Sequence, residues 1–323
     1  ASLCTQGVCS RKTVGHSEVA VMGVFALIAI LGGFGQVECV VDAGRVVGRV
    51  DQGLWANVGY DPMWMATCNE AALFLWRWVR EHGALVRVRC HNTFTSGLPA
   101  RPWPTWPVGY FGCDIYHEGP DGQPQYNFYW LDDVLDVWVA AGISPIIELD
   151  FMPDRLADGL IRRNYGGGAI NAPHDYERWR QLIEATVRHC IQRYGADVVR
   201  RWRFEIWNEP DLAMYFIDGN KLPFRGEPTA DQISQAVARL CKMYDFAAAA
   251  IKGVDPQLKV GGPGIAGNQF YLRGFLEHCA HGRNAATGRR GAPIDFISWH
   301  GYSFLATHLR KNEAMRQEAA RVD

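Results

Sequence analysis

The sequence contains no Cys-x-x-Cys pair and no His-x-x-x-His pair, although it has nine cysteines and ten histidines. That spacing argues against a structural zinc site. The cysteines, at 4, 9, 39, 68, 90, 113, 190, 241 and 279, are scattered and odd in number. Scatter through apolar segments suits buried reduced thiols better than a disulfide framework, with Cys4 and Cys9 the one close pair that could bridge. Charge of one sign is missing too. With 33 basic and 34 acidic residues the formal net charge is -1, so no global field favours nucleic acid or an anionic membrane. Gly261-Gly262-Pro263-Gly264 lacks the Lys-Ser/Thr that completes a phosphate loop and the spacing of a dinucleotide fingerprint, so it reads as a tight strand exit. No internal repeat, low-complexity tract or flexible linker interrupts the chain.

What is present is a large apolar complement. At 323 residues and 48% hydrophobic content, the chain can bury a sizeable core and is close to the size of one α/β barrel. Twelve Trp and twelve Tyr are many for that length; stacking on sugar faces is one explanation and core packing another. From Glu38 onward short apolar runs alternate with longer helical stretches, the signature of a parallel sheet, closed or doubly wound. Strands are expected at 40–41, 55–58, 85–90, 144–149, in the run through 203–209, at 258–261 and at 294–300. Helices are expected at 70–81, 131–141, 175–194, 231–251, 270–281 and 309–320. Residues 95–125 are rich in Gly and Pro and too long for an ordinary connector, which predicts a functional loop over a barrel mouth. Ahead of all this, Arg11 and Lys12 precede an uncharged run at 19–35. It reads either as a secretory signal or anchor or as a buried N-terminal element, and is short for a membrane span. The chain is thus expected to be exported or tethered if that run is a signal, and cytoplasmic otherwise, with 1–37 standing apart from a catalytic unit at 38–323.

The stretch Arg203-Phe204-Glu205-Ile206-Trp207-Asn208-Glu209-Pro210-Asp211 carries the chemistry. Phe204, Ile206 and Trp207 give it strand character, and Pro210 ends the ladder by removing a donor. Glu209 is therefore expected at the C-terminal edge of a strand, where parallel barrels gather their catalytic groups. A carboxylic acid held there can protonate a departing glycosidic oxygen. The bland alternative is strand-to-loop punctuation with a capping amide and a surface acid. Glu205 lies four residues earlier; on an extended strand the two would stand about 13 Å apart, too far for the ~5.5 Å pair of a retaining glycosidase, so Glu205 reads as structural.

Trp207-Asn208-Glu209-Pro210 resembles the acid/base segment of the (β/α)8 glycoside hydrolases that carry both catalytic glutamates on barrel strands. Asp42-Ala43-Gly44, Trp55 to Tyr60, Val88-Arg89-Cys90-His91, Tyr126-Asn127-Phe128, Gly261 to Gly264 and Phe296-Ile297-Ser298-Trp299-His300 resemble, in order, glycoside hydrolase family 39. That family includes β-xylosidases and α-L-iduronidases. The resemblance runs from about residue 40 to 305 and implies a (β/α)8 TIM barrel, of which this chain supplies about the first six β/α units. It implies Glu209 as general acid/base and Asn208 as partner of the sugar 2-hydroxyl. Arg89 resembles the arginine that steadies the nucleophile and His91 a sugar-binding histidine; an ion pair without chemistry and a satisfied loop histidine are the alternatives. His300 and Tyr302 fall where relatives place groups near the substrate. Glu148 is either a site acid or a buried acid paired with arginine. No metal and no cofactor are expected.

The chain departs from the family in one respect. The family nucleophile is a glutamate on the seventh strand, and after His300 only Glu313, Glu318 and Asp323 are acidic, in a polar helical run. The nucleophile and last strands are therefore expected outside this chain. Gly301-Tyr302-Ser303 supplies no cation where iduronidase-like members carry a basic pair, which favours a neutral pentose over a uronic acid. The expected function is a retaining, β-xylosidase-like glycosidase acting on an oligosaccharide or glycoside. An iduronidase-like or other family 39 enzyme and a carbohydrate-binding protein without a nucleophile remain open. So does a homo-oligomer; membrane association would rest on residues 19–35 alone.

Overall fold

The computed structural model describes residues 44, 48, 57–59, 66–67, 70–82, 86–95, 115–159, 169–216, 229–302 and 305–322. Contacts divide the chain into Ala1–Val50 and Asp51–Asp323, and the fold set out below is that of the second unit. The run at 19–35, the strand expected at 40–41 and the Cys4 and Cys9 pair lie outside the described residues.

The elements begin with β1 (Asn57–Gly59), α1 (Glu70–His82), β2 (Arg87–Cys90), β3 (Tyr116–Glu118), β4 (Pro124–Tyr126), α2 (Tyr129–Ala140) and β5 (Ile146–Glu148). They continue through α3 (Tyr176–Tyr194), α4 (Ala196–Val199), β6 (Arg203–Glu205), α5 (Ala230–Val254), β7 (Lys259–Ile265), α6 (Gln269–His281), β8 (Phe296–Trp299) and α7 (Leu305–Ala320). Six strands form one sheet in the order β1-β2-β5-β6-β7-β8, every neighbouring pair parallel. Parallel neighbours cannot be joined by a tight turn, and here a helix follows each of them before the next begins. These are six successive β/α units of a (β/α)8 barrel, as the alternation predicts.

The helices form because their apolar positions recur every three or four residues and their ends are capped. In α3, Trp179, Leu182, Ile183, Thr186, Val187 and Cys190 make the buried stripe, Asp175 accepts from the amides of Glu177 and Arg178, and Gly195 closes the helix at φ 84°. In α5, Thr229 and Gln232 form a reciprocal capping box. Each fully buried Leu, Ile or Val contributes about 1.5–3 kcal/mol by leaving water. Alternation in the strands sorts the sheet's two faces: Val88, Ile147, Phe204 and Val260 are buried in the apolar core, while Arg89, Glu148 and Glu205 share the opposite face.

Two expectations change. Residues 116–126 are not an irregular loop but the antiparallel β3–β4 hairpin, fixed to α3 where Arg178 Nη1 donates to the Tyr116 hydroxyl at 3.2 Å; residues 96–114 lie outside the described residues. The strand expected through 203–209 ends at Glu205. Trp207 and Glu209 take φ of 71° and 44°, which turns the chain out of the ladder, so the extended-strand spacing between Glu205 and Glu209 does not apply.

Candidate active site

Among the described residues, ionisable side chains converge where β2, β5, β6 and β8 end. Arg89, on β2, is the hub. Its Nε donates to Glu205 Oε2 at 2.6 Å, its Nη1 lies 2.8 Å from Glu148 Oε1, and its Nη2 donates to Asn208 Oδ1 at 3.1 Å. Burial pulls the guanidinium pKa down, but the Glu148 and Glu205 carboxylates outweigh it and hold it above its usual value. The planar fork thus fixes the amide of Asn208, leaving its nitrogen as the donor on the other side. Glu205 is completed by Ser298 Oγ, which in turn accepts from the Gly264 amide at 3.0 Å.

Beyond Cys90 the chain turns sharply. Asn92 adopts φ 67°, a left-handed conformation that Asn tolerates better than most residues. Its amide donates to Asp150 Oδ1 at 2.9 Å, and the Phe94 amide donates to the Asp150 carbonyl at 3.0 Å. His91 Nδ1 lies 2.6 Å from Glu148 Oε2 and 3.7 Å from Asp150 Oδ2. Glu148 and Asp150 are wholly buried. Desolvation, reinforced by Glu148, raises the Asp150 pKa well above the usual carboxylate range. His91, Glu148 and Asp150 bring one nitrogen and two oxygens within 4.8 Å of one another, spacing that a divalent cation could use. The 2.6 Å contact is nevertheless that of a hydrogen bond, and the other oxygen of Glu148 is ion-paired with Arg89, so the set reads as a charge-neutralised cluster.

Glu209 lies past the end of β6. Its backbone amide donates to the Gly264 carbonyl at 2.9 Å, and its Oε1 is 2.7 Å from His300 Nδ1. His300 is anchored by its own amide, which donates to the Ile265 carbonyl at 2.7 Å. Behind them, Trp207 Nε1 donates to the Tyr215 carbonyl at 2.7 Å. Asp211 collects the amides of Ala266, Gly267 and Asn268 at 2.8, 3.1 and 2.9 Å, tying the β7–α6 turn to the segment that carries Glu209. Tyr302 is 90% exposed, its ring edge-on to His300 with centroids 6.1 Å apart.

The residues singled out in the sequence fall into two linked groups. Arg89 and Asn208 touch each other, Glu209 and His300 touch each other, and the backbone joins the groups at 208–209; His91 meets Arg89 through Glu148. Arg89 is engaged by Glu148, Glu205 and Asn208, the ion pair given above as an alternative. Ser298, Asp150 and Asp211 were not singled out. The first two follow from alternation, Ser298 lying two residues before His300 and Asp150 two after Glu148. Nothing local marks Asp211, whose partners lie some fifty-five residues on.

The family model for glycosyl hydrolases family 39 matches residues 77–322. The β-xylosidase of Geobacillus stearothermophilus is 39% identical over 208 residues, which is 63% of this chain and 36% of that protein. The α-L-iduronidase of Canis lupus familiaris is 29% identical over 204 residues, 61% of this chain and 27% of that protein. Among solved structures, a family 39 β-xylosidase from Caulobacter crescentus superposes with a TM-score of 0.61 at 27% identity, covering 85% of this chain and 52% of that one. The chain spans about a third of the length of the curated relatives it matches. With three quarters of its residues inside the family model, and the six-unit parallel barrel around them, this chain belongs to family 39 of the glycosyl hydrolases.

Proposed function

We propose that the complete protein is a retaining glycosidase of β-xylosidase type in which Glu209 is the general acid/base. The observation that carries this reading is the contact of Glu209 with His300 at 2.7 Å, adjacent in sequence to an Asn208 amide whose orientation Arg89 fixes. A carboxyl held by one imidazole keeps its second oxygen for a ligand. In the first step Glu209 gives its proton to the glycosidic oxygen as the bond to the anomeric carbon breaks. A carboxylate from outside the described residues attacks that carbon and forms an ester. In the second step Glu209, now ionised, takes a proton from water; the water oxygen attacks the same carbon and the ester breaks, with net retention.

Asn208 and His91 would hold sugar hydroxyls, and Tyr302, exposed beside His300, offers a ring for the sugar's apolar face. A neutral pentose fits the absence of a cation at Gly301-Tyr302-Ser303, and the Geobacillus β-xylosidase, at 39% identity, is more similar than the α-L-iduronidase at 29%. The similarity to α-L-iduronidases supports a second reading, with a uronic acid as substrate.

Glu209→Ala in the full-length protein should lower turnover of an aryl β-xyloside by about 10²–10⁴-fold. Unchanged turnover would remove Glu209 from the chemistry. Hydrolysis of an aryl iduronide but not of the xyloside would move the substrate to the second reading, and xylose binding without hydrolysis of either would leave a binding protein.

A further inference from the structure

Three buried carboxylates, Glu148, Asp150 and Glu205, surround a single guanidinium. Arg89 reaches two of them, Glu148 and Glu205, and not the third. Asp150 is left with one backbone amide on Oδ1, while its Oδ2 is buried without a hydrogen bond and stands 3.7 Å from His91 Nδ1. An ionised carboxylate in that setting would face Glu148 with only the His91 imidazole, at 3.7 Å and beyond hydrogen-bond distance, to offset it, a state that desolvation and like charge both penalise. The charged groups that face it are Arg89 and His91 from β2 and its exit and Glu148 from β5, with Glu205 of β6 bound to Arg89.

The geometry of Asp150 gives it a second property. It holds the turn after β2 at two points, through its carboxyl to the Asn92 amide and through its carbonyl to the Phe94 amide. Asn92 keeps its left-handed φ of 67° between those two hydrogen bonds, and His91 is the residue just before it. Whatever fixes Asn92 therefore fixes the direction from which His91 leaves the strand.

We propose that Asp150 is a positioning residue for substrate binding that acts as a neutral carboxylic acid, holding His91 against Glu148 through the 91–94 turn. Its proton is part of the folded site. This rests on the reading of His91 as a sugar-binding residue, but the protonation can be measured without any substrate.

The sign of the pH effect follows from the raised Asp150 pKa. Between the carboxyl's unfolded pKa and its raised folded value the native state binds the extra proton, so stability falls as pH rises through that window. At most this changes the folding equilibrium tenfold per pH unit. Asn reproduces the shape of the neutral acid and keeps an oxygen for the Asn92 amide, yet has no proton to lose.

The test uses the full-length protein, with Asp150→Asn and Asp150→Ala compared with wild type in thermal melts from pH 4 to pH 9 and in aryl β-xyloside kinetics. Asp150→Asn should match wild type near pH 4 and become progressively the more stable protein as pH rises. Its KM should stay within about threefold of wild type at neutral pH, while Asp150→Ala, which leaves the Asn92 amide without its acceptor, should raise KM about tenfold with a smaller change in kcat. An Asp150→Asn protein less stable than wild type at neutral pH, with the difference constant across the range, would overturn the proposal. So would a wild-type melting temperature raised by added Ca²⁺ or Zn²⁺ and unaffected in Asp150→Asn, which would assign the cluster to a cation. If the melts behave as expected but no xyloside is hydrolysed, the neutral acid stands and the substrate reading fails.

Discussion

Arg89 makes contacts that no other cation could make in its place. Its fork donates to Glu205 and to Asn208 in two separate directions and makes an ion pair with Glu148 at 2.8 Å. An ammonium at the same position could not reach both Glu205 and Asn208 along those directions and would leave one of the two acceptors without its donor. Arg89→Lys should therefore cost about 1–3 kcal/mol of stability, read as a lowered urea midpoint, and should raise KM by freeing the Asn208 amide to rotate. Unaltered midpoint and kinetics would mean that charge alone is what the site requires. The sequence made Arg89, Asn208 and Glu209 visible because each belongs to a recognisable segment. It did not reveal that Arg89 binds Asn208, since the two are 119 residues apart and no local pattern encodes their distance.

At the scale of elements, periodicity located the six long helices and the described strands of the parallel sheet to within a few residues, because buried stripes and capping residues are local properties, and it missed the one-turn α4 and the β3–β4 hairpin. It misplaced the end of β6. Ile206, Trp207 and Asn208 have the composition of a strand, but the turn at Trp207 and Glu209 is imposed from outside by the Gly264 carbonyl on the Glu209 amide and the Tyr215 carbonyl on the Trp207 indole. The glycine run of β7 is the counterpart of that turn. A Cβ on Gly261 would come within 2.1 Å of the Phe296 carbonyl oxygen on β8, and one on Gly264, which has φ 59°, would meet Arg89 Nη2 at 3.0 Å. What reads in the sequence as a tight exit is the surface against which β6, β8 and the arginine are seated. Gly261→Ala should lower stability by about 1–3 kcal/mol, seen in urea unfolding; a silent substitution would mean that β7 and β8 can separate freely.

At the scale of the whole molecule, the sheet is protected unevenly. β2, β5, β6 and β7 lie inside the described sheet with strands on both sides, and Val88, Ile147, Phe204 and Val260 on them are buried. β1 stands at one end with all three residues exposed and β8 at the other with all four half-buried. Amide exchange in this chain should accordingly be slowest in β6 and β7 and fastest in β1; uniform protection across the six strands would contradict that gradient. The contact between Glu209 and His300 spans 91 residues of chain, with α5, β7, α6 and β8 made in between. During synthesis at about 5–20 residues per second, Glu209 exists for several seconds before its imidazole does. The carboxyl acquires its partner only after the sixth strand of the sheet has been made, so this contact is among the last to form in the history of each molecule.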